Sequence, residues 1–437
     1  MGSQGHLILH RTPKSEWGSA TVMVRGEGVR VYDRDGKGYL DLTAGNTRPV
    51  HIGYGREEMA KAVYDQIRQL PYFTPMQYAN LPALQLAEAL GEIAPGKIRW
   101  FTFVCDGSEA VEAAFKLARH THYFRGDKRR HKVISRRGAY HGVTAGALRA
   151  LGTVLPMRQI MEPLGPGVVF VDSPYCYRCP VHLRYPQCGI ACARDIERTI
   201  EFEDPEQISA FLGEPIQQGF GAYAPPPEYW PMVRQICDKY GILLIDDEVI
   251  CGFGRTGRWF GIQHFGIEPD VITMAKGISS GYVPLGGVGC TDAVLEPVEI
   301  FQHLHTYGNH PVACAAALKN IEIIQQEKLV DNSREMGGYF LERLRTLEHH
   351  AMVGEVRGTG LWLGLDLTTD KDTRAAFPMS RMSSIVRRGK EKGLILKFMG
   401  PALEFAPPLT VRKEEIDEGM AILEECIAEE EREMGLG

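Results

Sequence analysis

The sequence predicts an α/β protein in which a large domain, built on a mainly parallel seven-stranded sheet, is joined by a small α+β domain drawn from both termini. Three observations lead there. Between residues 82 and 323, short apolar runs alternate with amphipathic stretches, the pattern of strands buried on both faces by crossover helices. The 437 residues are 44% hydrophobic and 24% charged, enough for a large core and a second, smaller one. No internal repeat or low-complexity linker interrupts the chain, which places the boundary of the large unit in a connecting helix near residues 320–335.

In chain order, VRVYDRDGKGYLDL sets β-branched and aromatic residues around a turn from Asp33 to Gly38 and predicts a small N-terminal sheet. The strands of the large sheet are RWFTFV, KVISRR, GVVFVDS, ISAFLGEP, GILLIDDEVI, DVITMA and PLGGVGCTD, each followed by a glycine-containing or polar turn. Between two of them, EYWPMVRQICDKYG puts Trp230, Val233, Cys237 and Tyr240 on one helical face and ends at Gly241, a C-terminal cap. The last segment, KEEIDEGMAILEECIAEEEREMG, forms a helix with Ile416, Met420, Leu423 and Ile427 on one stripe and an acidic face expected to be solvated. The resulting division is 1–65 and 326–437 for the small domain and 66–325 for the large one.

A net charge of -6 gives no broad basic surface, so nucleic acid is not an expected partner. The N-terminal segment has no basic stretch leading into an apolar run of signal-peptide length. No stretch approaches the roughly 20 apolar residues of a membrane span, and a cytoplasmic location is expected. Ten cysteines in so long a chain are not a disulfide scaffold, and Cys237, Cys290 and Cys314 sit singly in apolar elements as small buried thiols.

The chemistry is carried by three places. GILLIDDEVICGFGRTG is an apolar strand ending in acids, which emerge where open α/β sheets bind ligands. The next strand, DVITMA, leads directly to Lys276 and a small, flexible GISSGYVPLGG. A carboxylate at Asp247 and an amine at Lys276, on successive strand ends, suit a cofactor whose aldehyde condenses with the amine while the acid keeps a pyridine nitrogen charged. An ion pair at the sheet edge would explain the same two residues. Third, FTFVCDGSEAVEAAFKLARH reads as strand, tight turn and helix, with Gly107 and Ser108 offering backbone N–H groups and a hydroxyl to a phosphate; an ordinary capped helix is the alternative.

Together these motifs resemble the class III (ω-amino acid type) aminotransferases of the fold type I pyridoxal-phosphate enzymes over almost the whole chain. The resemblance rests on GSEAVEAAFKLAR, the AYHG ending at Gly142, EPIQ from Glu214, DEVICGFGRTG from Asp247, AKGISSGYVPLGGV around Lys276, TYGNHPVACAAAL from Thr306 and VRGTGLWLGLDL around Arg357. It implies pyridoxal 5'-phosphate bound through Lys276, Asp247 on the pyridine nitrogen, Val249 under the ring and Tyr140 over it. Gly107 and Ser108 would hold the phosphate, joined by Thr306 from the partner of a homodimer, with a dimer of dimers as the alternative assembly, and Glu214 would lie near the ring hydroxyl. The implied activity is ping-pong transfer of an amino group from an amine or ω-amino acid to a 2-oxo acid, pyruvate foremost.

The chain departs from that pattern in places. Where the amine:pyruvate branch carries an arginine for the substrate carboxylate, GLILKFMG has Lys397, a point charge without the bidentate fork. Arg48 in AGNTRPVHIGYG is a candidate to replace it, or a loop or interface ion pair. Trp17, Arg48, Tyr140 and Lys397 are the expected substrate-pocket residues. Asp106 stands in the phosphate turn and is expected to cap the helix. DEVQTG, typical of 4-aminobutyrate and ornithine enzymes, is not matched because Ile250 follows Val249. The insert PYCYRCPVHLRYPQCGIACA spaces Cys176, Cys179, Cys188 and Cys192 as C-x2-C-x8-C-x3-C, which suits a zinc knuckle, with paired or free thiols as alternatives.

GFGRTG, from Gly252 to Gly257, matches a dinucleotide fingerprint formally, but comes late in the sheet and precedes no clear helix, which argues against an NAD-dependent oxidoreductase. A metal-binding interaction module explains only the cysteine insert. A racemase, epimerase or decarboxylase of the same fold shares every cofactor residue.

Overall fold

The computed structural model describes residues 7–436; the first six residues of the N-terminal segment lie outside it. Strands β1 (Met23–Glu27), β2 (Arg30–Asp33) and β3 (Gly38–Asp41) form the expected antiparallel sheet. The β2–β3 turn is held by Asp33, whose Oδ1 accepts the N–H groups of Asp35 and Lys37. Its fourth strand, Leu394–Ile395, pairs parallel to β3, so the two ends of the chain meet in one sheet.

All seven strands expected in the middle of the chain form one sheet: β4 (Trp100–Val104), β5 (Lys132–Arg136), β6 (Val168–Val171), β7 (Ile208–Gly213), β8 (Leu243–Asp247), β9 (Val271–Met274) and β10 (Gly286–Cys290). The order is β4-β10-β9-β8-β7-β5-β6, with β10 antiparallel to both neighbours and every other pairing parallel. Strands β7, β8 and β9 are buried at every residue, which is why they read as unbroken apolar runs. Strand β10 runs backwards because residues 275–285 connect it to β9 without a crossover helix. Its glycines let neighbours approach: a Cβ on Gly286 would stand 2.1 Å from the Asp106 carbonyl oxygen.

Helix Gly107–Phe124 packs Ala110, Val111 and Ala114 on one face of this sheet. Helix Tyr229–Tyr240 buries Trp230, Val233 and Cys237 against the other, and Gly241 ends it at φ +63°. Beyond residue 352, antiparallel strands Val353–Thr359 and Trp362–Asp370 lead to the closing helix Lys413–Met434, with Ile416, Met420, Leu423 and Ile427 buried. One expectation fails here. The acidic face of that helix is not merely solvated: Glu430 is fully buried against Arg381 and Arg388, and Glu431 pairs with His350 at 2.6 Å. Helix Met379–Glu391 supplies the two arginines and residue 350 the imidazole, a pairing no local pattern reveals.

The fold therefore gathers at one edge the ends of β5, β7, β8 and β9, and beside them the N-terminus of the helix that follows β4. That edge is the C-terminal one, where doubly wound sheets bind ligands.

Candidate active site

A cavity of about 330 Å³ opens at this edge, and Gly107, Ser108, Tyr140, Glu214, Asp247, Val249 and Lys276 all line it. Asp247 is the last residue of β8 and is buried. Its Oδ1 accepts from Thr273 Oγ1 at 3.0 Å and from the Val249 N–H at 3.1 Å, and His141 Nδ1 lies 2.6 Å from Oδ2. A carboxylate only accepts, so the proton of His141 sits on Nδ1. This clamp leaves Asp247 no rotational freedom. Neither His141 nor Thr273 was singled out from the sequence, although His141 lies within AYHG; its pairing with an acid 106 residues away is a tertiary fact.

The neighbouring acids do other work. Glu248 accepts the N–H groups of Gly261 and Ile262, both at 2.8 Å, and caps a short turn. Burial pushes Glu248 up to about 7 and Asp246 well above the carboxylate range. Of the three consecutive acids, only Asp247 borders the cavity.

Lys276 follows β9 with φ +47°, a left-handed conformation that sets its side chain off the strand direction. Burial, and next the Arg48 guanidinium, lower its amine to about 8, while Asp247 and Glu404 oppose the shift. At pH 7 about a tenth of it is thus neutral, the form that attacks a carbonyl. Gly277 is required beside it, because a Cβ there would meet the His51 ring at 2.3 Å.

At the other end of the cavity, Asp106 caps helix Gly107–Phe124 as expected, accepting the Glu109 N–H at 2.9 Å. The first turn keeps free N–H groups facing the cavity, and Ser108 Oγ sits beside them. Gly142, at φ +108°, closes over this cup; a Cβ there would be 2.4 Å from Ser108 Oγ. Glu214 lies behind, within 3.2 Å of the Tyr140 N–H and 3.4 Å of Arg136 Nη2, and its carboxyl is raised by burial. Arg136, fully buried at the end of β5, was not anticipated.

Other expected residues stand elsewhere. Thr306 is exposed, its carbonyl accepting from Tyr72 Oη at 2.9 Å, and does not line the cavity. Trp17 donates to the Thr12 carbonyl in a short N-terminal helical turn, also off the cavity. Arg48 is buried with its Nη1 2.5 Å from Glu404 Oε2; the other Glu404 oxygen accepts from Trp362 Nε1 at 2.5 Å. Lys397 is paired in register with Glu404, and its ammonium, among the described residues, bonds only the Asn46 carbonyl, at 2.7 Å. Burial, then Arg48, bring the Lys397 amine down to about 7. The glycines of GFGRTG lie in turns with no α-helix following, so no dinucleotide fold forms there.

An amine, a buried acid and a phosphate cup around one cavity, on a mainly parallel seven-stranded sheet, define the site of a fold type I pyridoxal-phosphate enzyme. The residues fit the cofactor physically: Gly107, where a Cβ would stand 3.0 Å from Val249 Cγ1, and Gly142 leave room that any side chain would fill. The chain matches the family model described as Aminotransferase class-III over residues 13–427, and it belongs to the class III aminotransferases. It is 37% identical to the putrescine–pyruvate aminotransferase of Pseudomonas aeruginosa over 414 residues, covering 93% of this chain and 90% of that one. Among solved structures, it is similar to an (S)-enantioselective ω-transaminase from Thermomicrobium roseum, at 40% identity, TM-score 0.92 and coverage of 97% and 96%. It also resembles a Pseudomonas jessenii ω-transaminase in complex with PMP, at 33% identity and TM-score 0.95, covering 99% of this chain and 98% of that one. The protein is therefore a pyridoxal-phosphate-dependent transaminase. No helix among the described residues is long and apolar enough to cross a membrane.

Proposed function

We propose that this enzyme moves the amino group of an amine or ω-amino acid to pyruvate in a ping-pong cycle, with Lys276 as the proton-moving base. The observation that carries this reading is that Lys276 and Asp247 line one cavity. Pyruvate as acceptor is supported by the Pseudomonas aeruginosa relative. When bound, the cofactor supplies an electron sink for the substrate carbon that loses its proton. Asp247, fixed by His141, Thr273 and the Val249 N–H, keeps the ring nitrogen charged. Val249 and Tyr140 would bracket the ring, Gly107 and Ser108 would hold the phosphate, and Glu214 would lie on the ring-hydroxyl side. A general base at Lys276 contributes roughly 10²–10⁴-fold.

For the substrate's anionic end the two cations differ. Arg48 is buried and committed to Glu404, whereas Lys397, when charged, keeps two donors without a partner among the described residues. We assign carboxylate recognition to Lys397, with Arg48 as its fixed electrostatic neighbour. The protein acts as a homodimer, in which the partner subunit's Thr306 completes the phosphate cup. Exposed Tyr72, Phe73, Met76 and Tyr78 make an apolar patch beside exposed Thr306 and Tyr307, and a face of that kind favours burial by a second copy.

The test is the absorption spectrum of the purified holoenzyme. A yellow band that bleaches with an amine donor and returns with pyruvate is the expected result. A band that never exchanges in this way transfers the protein to racemase or decarboxylase chemistry, and no band after adding pyridoxal phosphate removes Lys276 from its role.

A further inference from the structure

The insert between β6 and helix Ala191–Phe202 takes no part in the site described above, yet it carries four of the ten cysteines. All four, Cys176, Cys179, Cys188 and Cys192, line one small cavity of about 20 Å³ and are free, half-buried thiols. We propose that they form a tetrathiolate site for a soft divalent cation of the zinc class, which fixes the loop that clamps the C-terminal sheet to the large one.

Two independent observations converge on this site. The spacing C-x2-C-x8-C-x3-C brings two close pairs from separate turns, the arrangement of structural zinc sites. The fold then turns both pairs toward the same cavity, although nothing about the spacing alone requires that. The turn after Cys179 is closed by the His182 N–H on the Cys179 carbonyl at 3.0 Å, and Cys188 donates its N–H to Arg184 at 2.9 Å. Cys192 lies in the first turn of its helix, whose cap residue, Ile190, offers no side-chain acceptor.

As the thiols stand, no three of the four sulfurs lie within 4.8 Å of one another. Four sulfurs at about 2.3 Å from one zinc are about 3.8 Å apart, so binding draws them inward by side-chain rotation around the shared cavity. The cation displaces up to four thiol protons, which pass to solvent.

The consequence lies in the residues between the sulfurs. Tyr175 and Arg178 flank and fill the first pair, and both reach Asp366, a fully buried residue of strand Trp362–Asp370. Tyr175 Oη donates to Oδ2 at 2.6 Å and Arg178 Nη1 pairs with Oδ1 at 2.5 Å, while Arg374 reaches back to the Tyr177 carbonyl at 2.9 Å. A cation held by Cys176 and Cys179 fixes the backbone that carries this clamp.

The experiment uses the untagged holoenzyme, purified without chelator in reducing buffer, with metal measured by elemental analysis and by titration with Zn²⁺ and Co²⁺. The expected results are one metal per chain, a sulfur-to-cobalt charge-transfer band, loss of both in Cys179→Ser and Cys188→Ser, and retention in Arg178→Ala. Strong chelation should lower the melting temperature of the wild type and leave that of Cys179→Ser unchanged. Absence of stoichiometric zinc and of cobalt uptake by the wild type overturns the proposal, as does a disulfide between any two of the four cysteines found by mass spectrometry.

Discussion

Replacing Glu404 by glutamine tests the buried charge arrangement beside the cavity. The Arg48 and Glu404 side chains are 4% and 1% exposed and 2.5 Å apart. Removing one charge of such a pair strands the other, at about 3–5 kcal/mol. With an unfolding entropy near 2.1 cal/mol/K per residue, this chain has about 0.9 kcal/mol/K, so the melting temperature falls by about 3–5 °C. The amide can still accept from Trp362 Nε1, but it turns N–H toward Arg48 where an acceptor is needed. Arg48→Met combined with Glu404→Gln removes the stranded charge and should recover most of the loss. A second readout follows from Lys397: Glu404 holds its pKa up, so in Glu404→Gln the amine falls further below about 7 and the charged share, about half at pH 7 in the wild type, shrinks. The KM for pyruvate should then rise several-fold. Calorimetry and steady-state kinetics on the single and double variants decide it. If Glu404→Gln melts with the wild type, or the double variant is no more stable than it, the pair is not the buried, interdependent unit described.

Lys276→Ala should abolish turnover and the yellow absorption while leaving the melting curve of the protein without cofactor intact. Asp247→Asn should retain bound cofactor but lose on the order of 10²-fold or more in kcat, because a fixed charge at the developing electron sink disappears; an unchanged kcat would remove Asp247 from the chemistry. For Gly142→Ala, the Cβ pressed on Ser108 and the strained φ together cost about 1–3 kcal/mol, expected as roughly tenfold or greater weakening of cofactor retention measured by dialysis. Reconstitution of the protein with pyridoxal phosphate should quicken as pH rises through about 8, since the lowered amine of Lys276 is cationic below that pH and reactive above it. Arg48→Met should move this midpoint upward, because Arg48 is one of the groups holding the amine down.

The large sheet was legible because its physics is local: β7, β8 and β9 are buried on both faces, and such strands must be written in apolar residues. Asp247, Lys276, Gly107 and Ser108 could be found for a related reason, since each sits where an apolar strand gives way to polar or small residues at a ligand-binding edge. His141, Thr273 and Arg136 carried no such signal. Thr273 and Arg136 lie in strands and His141 in the loop after β5, and the partner of each is set by which strand ends lie side by side in the order β9-β8-β7-β5.

Arg48 shows the limit most clearly. Its charge and its unusual loop made it a candidate for meeting substrate, and only the tertiary structure placed Glu404 against it, 356 residues away. The acidic face of the last helix was misread for the same reason, because cations from a different helix neutralise it. By itself the sequence determined what burial periodicity and turn chemistry can encode: the sheet, the covering helices, the phosphate turn, and the amine and acid at neighbouring strand ends. The tertiary structure alone decided which charges neutralise one another, because ion pairing in a low-dielectric interior depends on ångström distances between segments hundreds of residues apart.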